Sequence, residues 1–159
     1  MKKILFPTRG GLSSRANQDR AISLAKERGA RLIFFHVTDI RFLNHMASPL
    51  LIDIEKEMDE LATFMLAMAQ ERAEKAGVEA RYVVGHGIFR QALKKVIEEQ
   101  EVSLILLGAP QGRTGLTTLD FLQELAQELQ TDTGVEVILI KNGEIIDHFT
   151  SESGEFEHE

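Results

Sequence analysis

The apolar run Leu104-Ile105-Leu106-Leu107 opens into a loop with three glycines and an arginine, Gly108-Ala109-Pro110-Gln111-Gly112-Arg113-Thr114-Gly115. Glycines in such a loop let backbone N–H groups approach an anion closely, and the arginine beside them adds charge and a planar set of donors. The chemistry this spacing points to is the cradling of a phosphate or a similar anion. Other side chains offer less. No Gly-x-Ser-x-Gly elbow is present, and Ser13 and Ser14 after Gly10-Gly11 read as helix-capping residues. The histidines His36, His45, His86, His148 and His158 lack the i, i+4 spacing of a metal-binding helix. His36 reads as the completion of a strand end and His86 as part of the next strand's exit loop. Acidic residues crowd together at Asp53, Glu55, Glu57, Asp59 and Glu60. The helical period turns them away from Ile54, Met58 and Leu61, so a solvated face is expected there and no catalytic carboxylate pair.

These residues need a frame. Lys3 to Pro7 reads as a first strand, Ser14 to Arg28 as a helix closed by Gly29, and Arg31 to Val37 as a second, buried strand. Leu50 to Ala76 reads as a long amphipathic helix with Ile54, Met58, Leu61, Met65 and Met68 on its inner face. Val78 to Val84 gives a third strand. Ile88 to Gln100 gives a helix buried through Phe89, Ala92, Leu93, Val96 and Ile97, and Val102 to Leu107 the fourth strand. Leu119, Leu122, Leu125, Ala126 and Leu129 trace another helix, its start marked by a capping box with Thr117 as N-cap and Asp120 at N3. Val135 to Ile140 is the fifth strand. Strands alternating with helices predict an α/β three-layer sandwich around a five-stranded parallel sheet. In such sheets ligands sit at the carboxyl ends of strands where the strand order reverses, here the loops after the first and fourth strands. Asn142-Gly143 between two apolar runs predicts a hairpin that adds a C-terminal strand. One domain is expected over residues 1–149, with 150–159 an acidic, disordered tail.

Composition narrows the function. A chain of 159 residues, 43% of them hydrophobic, suits one core, and the absence of cysteine excludes thiol redox chemistry and zinc fingers. The net charge of -7 argues against nucleic acid as a partner. The charged start is followed by only three apolar residues, Ile4, Leu5 and Phe6, before Pro7, too few for an export signal. Leu61 to Ala69, with Thr63 inside it, is too short to cross a bilayer. A cytoplasmic location without membrane insertion is the expectation.

Several stretches resemble the universal stress protein family across nearly the whole chain, to about Lys141. Ile4-Leu5-Phe6-Pro7 resembles its opening strand, and Ala21-Ile22-Ser23-Leu24-Ala25 with Gly29-Ala30-Arg31-Leu32 its first helix and turn. Phe34-Phe35-His36-Val37 resembles its strand ending in His-Val, Gly85-His86-Gly87 also fits, and Gly112-Arg113-Thr114-Gly115-Leu116 fits most closely. The resemblance implies a Rossmann-like domain, usually dimeric, involved in stress survival, with one branch binding ATP and another not. Carried over position by position, it makes Pro7, Thr8, Arg9, Val37, Gly108, Gly112, Arg113 and Thr114 the ligand-binding candidates.

The chain departs from the ATP-binding pattern in three places. Arg9 stands where that branch has an aspartate contacting the base, and a guanidinium cannot accept a hydrogen bond from an adenine amino group. Gly108 and Gly112 enclose three residues where the family has two, and Pro110 supplies no N–H. Leu122 and Gln123 stand where Gly-Ser or Gly-Thr closes the motif. The expectation is a non-catalytic protein with weak or lost ATP binding and no metal centre, holding a smaller anionic ligand through Arg9, Arg113 and Thr114. The alternatives are an adenylate- or phosphate-transferring enzyme using Asp39 and Asp120 for magnesium, and a dimeric interaction module. A homodimer through the last strand or the C-terminal hairpin is expected in either non-catalytic case.

Overall fold

The computed structural model describes residues 2–8, 15–38, 48–109 and 115–151, with the side chains of 48–51 and 115–118 left aside. Six strands and four helices follow in the order β1 (Lys3–Pro7), α1 (Arg15–Arg28), β2 (Arg31–Thr38), α2 (Ser48–Lys75), β3 (Ala80–His86), α3 (Phe89–Glu99), β4 (Leu104–Ala109), α4 (Gly115–Thr133), β5 (Glu136–Lys141) and β6 (Glu144–Phe149). They form one sheet ordered β3-β2-β1-β4-β5-β6. The first five of these in spatial order run parallel, and β6 lies antiparallel to β5. The fold is therefore the expected Rossmann-like α/β sandwich, with the hairpin strand added at one edge.

Alternation along the buried strands divides the core in two. Ile4, Phe6, Leu32, Phe34, Leu104 and Leu106 meet α1 and α2, while Leu5, Ile33, Phe35, Ile105 and Leu107 meet α3 and α4. The parity matters beyond the core, because it sends Thr38 and His86 to the α2 side.

The hairpin turn is built by its two central residues. Asn142 has φ 52° and Gly143 φ 82°, the backbone that an Asn-Gly pair adopts most readily. The turn is also clamped to α1. The Gly143 N–H donates to Asn17 Oδ1 at 2.8 Å, and Arg20 Nε donates to the Gly143 carbonyl at 2.7 Å. A β-carbon at Gly143 would come within 3.2 Å of the Ala16 carbonyl oxygen, so close approach and positive φ both require glycine here.

Three expectations are corrected. The inner face of α2 is Ala62, Leu66, Ala69 and Ala73, whereas Leu61 and Met68 are 64% and 50% exposed. Small alanines around Leu66 let the helix lie close to the sheet, while Leu61, Phe64 and Met68 are turned outward. The start of α4 lies at Gly115, which puts Thr117 inside the first turn and Asp120 in the second, so neither forms the capping box. The acidic face of α2 is not uniformly solvated either, since Asp59 is half-buried against the sheet.

Candidate functional site

Strand order reverses between β1 and β4, whose carboxyl ends stand side by side at the switch point where open α/β sheets bind ligands. Beside it a cleft of about 360 Å³ is lined by Pro7, Thr8, Phe35, His36, Val37 and Phe89. Register explains the grouping. Pro7 pairs with Phe35, and the Thr8 N–H donates to the Phe35 carbonyl at 2.8 Å, which fixes the end of β1 against β2. Phe89 enters from the first turn of α3. Among the described residues the walls are Pro7, Phe35, Val37 and Phe89 with Thr8 and His36 as polar points, and none of these side chains is a carboxylate, guanidinium or ammonium. Such a slot suits a flat, weakly polar ring.

Of the residues expected to bind ligand, Pro7, Thr8 and Val37 share this cleft. Gly108 lies one strand away, near the end of β4. Arg9, Gly112, Arg113 and Thr114 fall outside the described residues, as does Asp39. Over Gly108 sits the Asn17 side chain, whose Nδ2 would lie 2.9 Å from a β-carbon placed there. Asn17 therefore spans from the first loop glycine to the hairpin turn, and it covers the end of β4 from the α1 side.

Leu122 and Gln123 occupy the place of the family's closing Gly-Ser or Gly-Thr. Leu122 is buried in the core against α3 and β5, and Gln123 Nε2 donates to Asp147 Oδ2 on β6 at 3.4 Å. Both lie inside α4, beyond the first turn, where backbone N–H groups are already bonded to the helix's own carbonyls. Asp120, a possible magnesium ligand on the enzymatic alternative, is exposed in the second turn.

The sequence reading missed the two phenylalanine walls, Phe35 and Phe89. The alternation that places Phe35 and Val37 on one face could have found the first. It also missed a polar cluster on the α2 side, where Asp59 joins Thr38 and His86. No helix among the described residues is long and apolar enough to cross a membrane.

The family model for the universal stress protein family matches residues 1–140. The chain belongs to that family. Solved structures agree in fold. A universal stress protein family member from Burkholderia pseudomallei superposes with TM-score 0.63 at 21% identity, over 87% of this chain and 95% of that one. A universal stress protein in complex with cAMP gives TM-score 0.60 at 24% identity, over 87% and 96%. One from Archaeoglobus fulgidus in complex with dAMP gives TM-score 0.60 at 15% identity, over 89% and 98%. No curated protein sequence matches the chain significantly.

Proposed function

We propose that this is a non-catalytic stress-response protein of the universal stress protein type, in which ATP binding is weak or lost and the crevice takes a smaller anionic ligand. The observation that carries this reading is the position of Leu122 and Gln123 within α4. A triphosphate needs a chain of free N–H donors, and at these two positions the helix has consumed them. The start of α4 still offers the positive end of a 19-residue helix, and Arg113 and Thr114 immediately precede it in sequence. That supports a single phosphate better than three. The apolar cleft by Pro7 and Phe35 supports a base or ring beside it, and the relatives solved with cAMP and dAMP hold ligands of that size.

The hairpin supports a second element of the reading, a homodimer. β6 is the edge of the sheet, and Ile145 and Ile146 are 46% and 42% exposed on it. An open edge with exposed apolar side chains is a template for pairing with a second copy.

Native mass spectrometry of the chain purified under non-denaturing conditions tests the ligand. Retention of a monophosphate or of no nucleotide is expected. Retention of ATP in most molecules overturns the reading.

A further inference from the structure

On the α2 side of the sheet, outside the cleft, one imidazole and two carboxylates converge from two elements. Asp59 and Glu55 stand one turn apart on α2, and His86 is the last residue of β3. His86 Nε2 lies 2.7 Å from Asp59 Oδ2, and a ligand atom from each of the three residues lies within 4.8 Å of the others. The Thr38 hydroxyl, on a residue only 1% exposed, donates to Asp59 Oδ1 at 2.8 Å. One oxygen of Asp59 is thus fixed by a buried donor while the other faces His86. This is how ligating carboxylates are oriented in metal sites.

We propose that Glu55, Asp59 and His86 form a site for one first-row divalent transition cation, such as Zn²⁺ or Mn²⁺. Imidazole with carboxylates is the donor set that such ions take, whereas Mg²⁺ and Ca²⁺ prefer oxygen alone. Ligands held about 2.0–2.2 Å from one ion stand at most about 4.4 Å apart, so a small rotation of Glu55 closes the set. Three protein ligands leave further positions for water. Glu55 and Asp59 also line a groove of about 530 Å³ together with Ile52, Lys56, Glu60 and Thr63. In that groove Glu60 adds to the negative field and Lys56 opposes it. Bound there, the ion joins α2 to the carboxyl end of β3. The proposal is independent of what occupies the cleft.

Titration of the full chain with Zn²⁺ alone by calorimetry, in parallel with Glu55→Gln, His86→Ala and His148→Ala, tests it. Glu55→Gln keeps the Thr38–Asp59–His86 chain intact, so its effect does not reflect loss of that packing. One ion per chain is expected, with affinity falling at least about tenfold in both Glu55→Gln and His86→Ala and unchanged in His148→Ala. Absence of binding tighter than about 100 µM overturns the site. So does affinity that survives either of the first two substitutions, or that falls equally in His148→Ala.

Discussion

Glu136, at the start of β5, is held from two sides. Arg28 from the end of α1 donates through both terminal nitrogens at 2.9 and 3.1 Å, and His148 Nε2 on β6 lies 2.5 Å from the same carboxylate. Burial pushes this carboxyl up, but the hydrogen bonds and charges of Arg28 and His148 outweigh it and hold its pKa below the usual value. A carboxyl lowered on folding stabilises fully above its unfolded pKa, and that contribution fades as pH falls through the folded value. Glu136→Gln is therefore expected to cost about 1 kcal/mol at pH 7, the scale of a partly exposed charged pair. The cost should shrink as pH falls below the unfolded value of about 4.3 and on through the lower folded one. Urea unfolding at pH 7 and pH 3 reads the difference, and an equal cost at both would contradict the assignment. His86 and Asp59 teach a related lesson. Twenty-seven positions separate them, and only strand parity together with the seating of α2 makes them neighbours.

At the scale of elements, most of the architecture was legible. Apolar runs located β1, β2 and β4, the last two marked by Gly29 and Gly108, because buried parallel strands have few other ways to be written. Asn142-Gly143 announced the hairpin through backbone conformation alone. Legibility failed where packing decides between alternatives that local pattern leaves equal. On α2 a stripe of large apolar residues and a stripe of alanines around Leu66 run side by side, and the sheet took the second. On α4 Thr117 and Asp120 matched a capping box, but the helix extends back to Gly115. The hairpin also moves the open edge from β5 to β6. Ile146→Lys places a charge on that edge without removing the strand. Sedimentation velocity is expected to show the dimer of wild type reduced to monomer in this variant, and equal association of the two would refute pairing through β6.

For the whole molecule, the fold and the proposed ligand preference rest on separate features. The α/β frame and the switch point are common to the family, and the apolar slot by Pro7, Phe35 and Phe89 sits beside that point. The features on which the proposed preference rests lie one strand over. Asn17 covers the end of β4, and α4 buries Leu122 at a mid-helix position where the backbone N–H is bonded within the helix. The departures at Arg9, Pro110, Leu122 and Gln123 were readable from the sequence, since Arg9 removes an acceptor, Pro110 an N–H, and Leu122 and Gln123 replace the small residues that close the motif. The contribution of Asn17 was not, because it depends on a hairpin that returns across α1. Calorimetric titration of one preparation with ATP and with AMP compares three phosphates with one on the same base. The account predicts that AMP binds at least about tenfold tighter than ATP, a difference of about 1.4 kcal/mol. ATP binding at low micromolar affinity, equal to or tighter than AMP, would contradict it.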